Sequence, residues 1–311
     1  MGIIFGPVAS RRFGKSLGID LSPYEKVCNY DCLYCELSST PTDGMEKRRF
    51  VEVDEVMEAL EKSLSEYRDI DILTVTANGE PTLYPDLEKL VVEIKRRYPD
   101  MPVLILSNGS KVGDESIRRA LSRFDMVKLS MDCATAGCFK KLDRPTQEVD
   151  IDDIKRGMIR FAREYDGELI VEILVVAGLN DKESEMDELN RFLLDVSPDR
   201  IDLGTLDRPP AYDVKAVGYS RLRELSMRFD PSLHVHITSR KDITDIEPSR
   251  YSESEILDTI SRRPLTPDDV ELLMDADSRK RLEKLLDDGE IEKKSVNGII
   301  FFKKSENSLD K

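Results

Sequence analysis

Short runs of apolar residues alternate with longer amphipathic segments along most of the chain. The short runs, such as PVLILS at Pro102–Ser107, have the length and the continuous apolar character of strands that are buried on both faces. The longer segments repeat apolar residues at the spacing of one helix face. With Leu17–Leu21 included, we count six or seven strands. The predicted ranges are Leu17–Leu21, Asp71–Ala77, Pro102–Ser107, Met126–Met131, Leu169–Ala177, Arg200–Leu206 and Leu233–Thr238. The helices predicted between them are Val53–Tyr67, Pro85–Tyr98, Asp114–Phe124, Asp152–Glu164, Asp181–Asp195 and Ser220–Arg228.

This alternation of strands and helices predicts an α/β fold with a parallel sheet, because parallel strands need long crossover connections. Six or seven such units fit an incomplete (β/α) barrel. In barrels of this kind the functional residues lie at the C-terminal ends of the strands.

The pattern changes after the last predicted strand. Ser239–Ser252 is polar and has no periodicity, which predicts a linker. Three helices follow, and Asn297-Gly298 between apolar residues predicts a hairpin. The helices are Glu253–Arg262, Pro264–Met274 and Ser278–Asp287. Three helices and a hairpin resemble a winged helix–turn–helix, so we expect a barrel over residues 1–240 and a winged-helix-like domain over residues 251–305.

Composition and charge limit the classes of partner. The chain has 311 residues, of which 40% are hydrophobic and 35% charged, as in ordinary globular proteins. The formal net charge of −15 does not favour non-specific binding to nucleic acid. Residues 251–311 hold 15 acidic and 11 basic residues, whereas a nucleic-acid-reading domain should be basic. Local basic stretches remain at Arg11–Lys15 and Lys47–Arg49, so nucleic acid is a possible partner that charge does not favour.

The compartment follows from the apolar runs and the cysteines. No run approaches a membrane span, and the opening MGIIFGPVASRRFG is too short and too polar for a signal peptide. Of the five cysteines, three share one loop, which favours a reducing compartment over a disulfide scaffold. We therefore expect a cytoplasmic protein with no membrane partner.

The three clustered cysteines, Cys28, Cys32 and Cys35, have the spacing C-x3-C-x2-C. Three thiolates on one short loop can hold three corners of a [4Fe–4S] cluster and leave one iron open. An open metal position is where cofactor or substrate chemistry takes place. The alternative is a structural zinc site, but such sites use four ligands in two close pairs, and no Cys or His follows at that distance. His234 and His236 belong to the last predicted strand.

The cysteine loop resembles that of the radical S-adenosylmethionine (radical SAM) superfamily. The resemblance implies a partial (β/α)6 barrel in which the open iron is chelated by SAM and Tyr34 lies near the adenine. The turn Asn78-Gly79-Glu80-Pro81-Thr82 resembles the family's GGE(P) turn, which binds the SAM amino group. Asn78 replaces the first glycine, and Asn tolerates left-handed turn geometry better than most residues. Glu80 offers an acceptor for the ammonium, although a plain turn with a helix cap is the alternative.

Polar residues also end the following strands. Asn108 follows one strand, and Ser130 and Asp132 end the next, where they could hydrogen-bond the ribose or the methionyl part of SAM. Capping of a helix by Asp132 is the alternative. The segment Val175–Asn180 resembles the family's adenine shelf, with Leu179 as the contact.

Other candidates are cysteines and arginines near the same edge. Cys133 directly follows Asp132 and is a candidate hydrogen-atom donor or covalent link to substrate. The other interpretation is that Cys133 and Cys138 are ordinary reduced, partly buried thiols. Arg144-Pro145 and Arg208-Pro209-Pro210 follow strand ends, where each could hold an anionic substrate or form a surface salt bridge.

The opening segment GPVASRRFGKSLGIDL resembles iron–sulfur oxidoreductases that are distantly similar to the wyosine-forming tRNA enzymes. We therefore expect a radical SAM enzyme that cleaves SAM reductively and abstracts hydrogen from a protein, peptide or small-molecule substrate. It would need a low-potential electron donor such as ferredoxin or flavodoxin. A tRNA-modifying enzyme is the alternative, and a non-enzymatic iron–sulfur or zinc scaffold is an alternative of another class.

Overall fold

A computed structural model describes residues 2–10, 13–37, 49–67, 69–238, 248, 250–262, 264–296 and 299–305. Three features predicted from the sequence lie outside this part of the chain, at least in part. They are most of the polar linker, the Asn297-Gly298 turn, and the basic residues Arg11, Arg12, Lys47 and Arg48.

Eight strands form one sheet in sequential order, so that each strand pairs with its neighbours along the chain. The strands are β1 Ile4–Ser10, β2 Gly14–Asp20, β3 Ile72–Thr76, β4 Val103–Ser107, β5 Met126–Ser130, β6 Glu168–Val175, β7 Arg200–Thr205 and β8 Val235–Ile237. The pair β1–β2 is antiparallel, and β2 to β8 are parallel throughout. Because β1 and β8 remain the two edges, the sheet is open, which agrees with the α/β fold and the incomplete barrel that the sequence predicts.

Amphipathic helices cover the outer face of the sheet. They are α1 Val53–Glu66, α2 Leu87–Arg97, α3 Glu115–Leu121, α4 Ala136–Leu142, α5 Ile151–Glu164, α6 Glu183–Val196 and α7 Tyr219–Ser226. Helix α5 shows the principle, since Ile154, Met158 and Phe161 repeat at helical spacing and are all buried. Strand residues such as Leu17 and Val75 meet these faces in the main core.

Two elements were not predicted from the sequence, β1 and α4. Strand β1 contains Gly6-Pro7, and its register with β2 is irregular between Phe5 and Val8. Proline within a strand is tolerated at a sheet edge, which is where β1 lies. Helix α4 has seven residues, too few for a periodic signal, and it begins at a cap in which the Thr135 side chain accepts from Cys138 N.

The C-terminal unit has its own buried cluster, which includes Tyr251, Ile256 and Phe302. Its elements are α8 Glu253–Arg262, α9 Pro267–Leu273, α10 Ala276–Asp287, β9 Ile291–Val296 and β10 Ile299–Lys304. The two strands pair as an antiparallel hairpin, as predicted. Helix α10 begins two residues earlier than the predicted Ser278, at a cap in which the Asp275 side chain accepts from Ser278 N. Its identity as a winged helix stays a prediction.

The C-terminal unit packs directly on the barrel. Helices α8 and α9 lie against β1. The Tyr251 hydroxyl donates to the Pro7 carbonyl, and the Tyr67 hydroxyl donates to Glu255. The unit therefore covers the N-terminal edge of the sheet.

None of the helices in the described parts of the chain combines the length and the apolar character that crossing a lipid bilayer requires.

Candidate functional site

The loop that carries the three cysteines follows β2, at the edge where the parallel strands end. Backbone hydrogen bonds fix it to the neighbouring strand ends. Val27 N donates to Asn78 O over 2.9 Å, and Glu80 N donates to Val27 O over 2.8 Å. On the other side, Leu33 N donates to Leu142 O at the end of α4 over 2.9 Å. The loop is therefore held between β3 and α4.

Cys28, Cys32 and Cys35 are free thiols that are partly buried. Burial raises the pKa of Cys28 to about 12 and also raises the pKa values of Cys32 and Cys35. The Cys32 thiol donates to Asp143 Oδ1 over 3.6 Å. Burial outweighs the opposing effect of Lys26 on the pKa values of Cys28 and Cys35. Because metal coordination needs thiolates, the donor set suits a strongly binding, positively charged metal centre.

The number of free thiols on the loop favours a cluster over a single structural ion. A structural zinc site takes four ligands. Three thiolates can instead bind three irons of a cubane cluster and leave the fourth iron open.

Gly79 is the residue that the turn after β3 requires. Its φ is 144°, and an added Cβ would lie 1.9 Å from the Val27 carbonyl oxygen. Asn78 differs from our expectation, because its φ is not positive and no left-handed geometry has to be tolerated there. Its N–H donates to Asp20 Oδ1 over 2.8 Å instead. The substitution of Asn for the first glycine therefore causes no strain.

Glu80 is 1% exposed and its carboxylate is fully engaged. Oε1 accepts from Thr82 N, Thr82 Oγ1 and Ser107 Oγ over 2.6–2.9 Å, and Oε2 accepts from Asn108 N over 2.6 Å. Burial raises the pKa of Glu80, while the hydrogen bonds from Thr82, Asn108 and Ser107 oppose that rise. The side chain thus links the ends of β3 and β4.

Asn108 lies beside the cysteine loop. Its Nδ2 donates to Asn29 Oδ1 over 3.1 Å and approaches Cys28 Sγ at 3.9 Å. The chain from Glu80 through Asn108 to Cys28 connects the turn after β3 with the first thiol. These residues were predicted to share a site, and the structure brings them together.

Tyr34 and Asp132 form a second connection. The Tyr34 hydroxyl donates to Asp132 Oδ2, and Leu174 N donates to Oδ1 over 2.6 Å. Burial raises the pKa of Asp132 to about 7. Asp132 does not cap a helix, since Thr135 caps α4. Asn180, whose role was not predicted, is fully buried and donates to the Asp132 carbonyl over 2.8 Å.

Ser130 and Leu179 lie on the same edge, at the last position of β5 and in the loop after β6. Both are partly exposed, as a ligand contact would require. Their roles towards SAM stay predictions.

The two remaining cysteines differ from both interpretations of the sequence. Cys133 and Cys138 form a disulfide, with Cα atoms 5.6 Å apart. The first turn of α4 brings Cys138 back to Cys133. Because α4 was not predicted from the sequence, this proximity was not predicted either. In this state Cys133 has no S–H and cannot donate a hydrogen atom.

The loop after β7 reaches across to the cysteine loop. Arg208 Nη1 donates to Glu36 Oε1 over 2.6 Å, and Ala211 N donates to Cys35 O over 2.8 Å. The Tyr212 hydroxyl donates to both Asp31 oxygens over 2.8 Å. Glu36, Tyr212 and Asp31 were not predicted, because only the tertiary fold brings these loops together.

Beneath this edge the barrel encloses a cavity of about 320 Å³, which we call the lumen. Lys128 borders it and forms ion pairs with Glu172 and with Asp202, the latter over 3.2 Å. Phe5, Phe13, Leu104 and Leu106 supply an apolar wall, and Arg208 and Glu36 border it on the side of the cysteine loop.

Comparison with known proteins agrees with this geometry. The family model described as "Radical SAM superfamily" matches residues 25–193. A "UPF0026 protein" of Helicobacter pylori is 39% identical over 302 residues, which cover 96% of this chain and 97% of the relative.

Two solved structures share the fold at 16% sequence identity. A radical SAM methyltransferase from Sphaerobacter thermophilus has a TM-score of 0.57 over 73% of this chain and 67% of its own. SuiB from Streptococcus suis, bound to S-adenosylmethionine, has a TM-score of 0.55 over 72% of this chain and 51% of its own. The superfamily consists of enzymes that use a [4Fe–4S] cluster and SAM, and the three free thiols at the strand ends fit such a cluster. On the evidence of its cysteine loop, its parallel sheet and its relatives, this chain belongs to the radical SAM superfamily.

Proposed function

We propose that the chain uses SAM to abstract a hydrogen atom from a substrate held in the lumen. The observation that carries the proposal is the placement of three free thiols beside the Asn78–Glu80 turn, directly above that cavity. When bound, the cluster and SAM supply the reductive cleavage of SAM and the 5′-deoxyadenosyl radical.

The protein contributes binding and orientation. Cys28, Cys32 and Cys35 hold the metal centre, and the Asn78–Glu80 turn holds the SAM amino group. Tyr34, Asn108, Ser130, Asp132 and Leu179 are the further proposed contacts with SAM. The loop after β7 contacts the cysteine loop at three points and so limits the access of water.

Glu80 has a role that differs from simple contact. Because four donors already occupy its carboxylate, we assign it two tasks, to supply negative charge near the ammonium and to hold Asn108 beside Cys28. Direct contact with the ammonium would require one of these donors to move.

Anaerobic reconstitution tests the proposal. The parent chain should take up about four irons and four sulfides, and after reduction it should release 5′-deoxyadenosine and methionine from SAM slowly even without substrate. A Cys28→Ala/Cys32→Ala/Cys35→Ala variant that still held a full cluster would contradict the metal assignment. Glu80→Ala should keep the cluster and weaken SAM binding, and unchanged SAM affinity would remove Glu80 from the site.

The electron source is an external low-potential donor such as ferredoxin or flavodoxin. The acidic balance of residues 251–311 leads us to propose a protein, peptide or small-molecule substrate in preference to tRNA. Tight binding of tRNA by the full chain at physiological salt would reverse that order.

A further inference from the structure

We propose that Arg208 and Glu36 together bind the carboxylate and the ammonium of a small α-amino acid whose apolar side chain lies in the lumen. The proposal rests on the radical SAM function proposed above and names the substrate class of that site.

Arg208 presents a free edge to the lumen. Its Nη1 donates to Glu36, whereas its Nε and Nη2 have no partner within the described chain. Nε–H and Nη2–H form the two-donor edge of a guanidinium that matches a carboxylate with two parallel hydrogen bonds. The side chain is 41% exposed and borders the cavity. Pro209-Pro210 and the bond from Ala211 N to Cys35 O hold its loop in place.

Glu36 offers the complementary acceptor. Its Oε1 accepts from Arg208, but Oε2 is buried and has no hydrogen-bond partner among the protein groups. A buried carboxylate oxygen without a donor is unfavourable, because no hydrogen bond replaces its lost hydration. An N–H donor on a ligand bound to the free edge of Arg208 would satisfy it. A carboxylate next to an ammonium has this arrangement of groups.

Lys128 also lines the lumen, and it is paired with Glu172 and Asp202. Among the described residues that line the lumen, Arg208 is therefore the cation with a two-donor edge available to a ligand.

The adjacent charges favour an amino acid over a simple anion. Arg208 and Glu36 lie side by side and offer one charge of each sign. A zwitterion presents a carboxylate to the first and an ammonium to the second, whereas a phosphate would place a second anion beside Glu36.

The rest of the lumen suits an apolar side chain. Leu106 projects from β4 and is 37% exposed although it borders a cavity, so its surface lacks an apolar partner. Phe5, Phe13 and Leu104 lie on the same walls. A volume of about 320 Å³ lies at the lower end of the range for small-molecule sites. It accommodates an amino acid of the size of leucine or phenylalanine.

A binding experiment without turnover tests the proposal. The full-length, cluster-loaded protein with SAM and no reductant is titrated with L-phenylalanine and L-leucine by calorimetry. The comparison probes are phenylacetate, which lacks the ammonium, phenethylamine, which lacks the carboxylate, and guanosine, whose base also places two acceptors beside N–H donors. We expect at least one amino acid to bind about tenfold or more tightly than each comparison probe.

Variants assign the contacts. Arg208→Gln and Glu36→Gln should each weaken binding of the amino acid by about tenfold to a hundredfold, the range for charge-assisted hydrogen bonds. Arg208→Lys keeps the charge but loses the two-donor edge, so it should also weaken binding, and it carries the test if Arg208→Gln does not fold. Arg160→Gln, on the exposed face of α5, is the matched control and should bind as the parent does.

Three results would overturn the proposal. The first is that phenylacetate binds as tightly as the amino acids, or that guanosine binds more tightly than they do. The second is that the Arg208 and Glu36 variants bind the amino acid with unchanged affinity. The third is weaker SAM binding by Arg208→Lys in the absence of any amino acid, which would assign Arg208 to SAM. Failure of the radical SAM function is seen separately, as absence of 5′-deoxyadenosine from the reduced parent protein.

Discussion

At the scale of single residues, Gly79 is the position with the least freedom. Gly79→Ala would place a Cβ 1.9 Å from the Val27 carbonyl oxygen, at a φ of 144°. We expect the cysteine loop to lose its bridge to β3, with a fall in iron content after reconstitution and a loss of about 1–3 kcal/mol or more in the free energy of unfolding.

Gly178→Ala is the matched control for this prediction. Its φ of 74° is also positive, but nothing lies within 4 Å of the added Cβ. It should lose only about 1 kcal/mol and keep its iron. Equal iron content in the two variants would show that the contact with Val27 does not position the loop.

The thiol of Cys28 gives a prediction for pH. Burial raises its pKa from 9.0 to about 12, so in the iron-free protein its alkylation by iodoacetamide should still rise about tenfold per pH unit from pH 8 to pH 10. The folded state keeps a proton that the unfolded chain loses, so stability should fall as the pH rises from 9.0 towards about 12. Mass spectrometry of the Cys28 peptide measures the rate, and a rate that levels off by pH 10 would contradict the shift.

The sequence predicts those site residues that the strand topology alone places at one edge of the sheet. Asn108 and Asp132 lie where the ends of parallel strands must meet, so a correct strand order was enough to group them. Asp143 and Glu36 could not be found in this way. Their partners, Cys32 and Arg208, are 111 and 172 residues away, and only packed loops bring such side chains together.

At the scale of elements, strands β2 to β8 could be predicted from the sequence, whereas β1 and α4 could not. Buried parallel strands have an apolar signal of their own. Strand β1 is interrupted by Gly6-Pro7 and is stabilised by β2 on one side and the C-terminal unit on the other. Helix α4 depends on Glu185, whose carboxylate accepts from Ala134 N and Thr135 N over 2.6–2.9 Å. Elements that owe their stability to tertiary contacts leave little pattern in their own residues.

The lumen gives a prediction for three adjacent strands. Lys128 on β5 neutralises Glu172 on β6 and Asp202 on β7, and Asp202 is 0% exposed. Lys128→Met should destabilise the fold by about 3 kcal/mol, the lower end of the range for a broken buried ion pair, because the buried Asp202 keeps Arg200 as its remaining cation. Denaturant unfolding measures the change. Lys140→Met, on the exposed face of α4, is the control, and a similar small loss in both would show that the ion pairs contribute little.

At the scale of the whole molecule, the C-terminal unit is part of the barrel wall. Ser261 of α8 borders the lumen, and α8 and α9 cover β1. A chain that ends near Arg240 should therefore melt at a lower temperature than the full chain, even if it keeps the cluster and slow SAM cleavage. Thermal unfolding by circular dichroism checks this, and an unchanged Tm would mean that the unit stabilises only itself.

Tyr251→Phe tests the contact between the C-terminal unit and β1 with a smaller change than the truncation. It removes the hydrogen bond to the Pro7 carbonyl and leaves the ring in place, so it should lower the free energy of unfolding by about 1 kcal/mol.

The order of the strands has a consequence for synthesis of the chain. Because each strand pairs with the one before it, the sheet can grow strand by strand as the polypeptide leaves the ribosome. The outer side of β1 is the exception. Its cover includes Tyr251, whose contact with Pro7 closes over 244 residues, so the first strand to be made waits longest for its partner. A nascent chain would therefore expose this edge during most of its translation, and it is the place where a chaperone or a second nascent chain would meet an unfinished sheet.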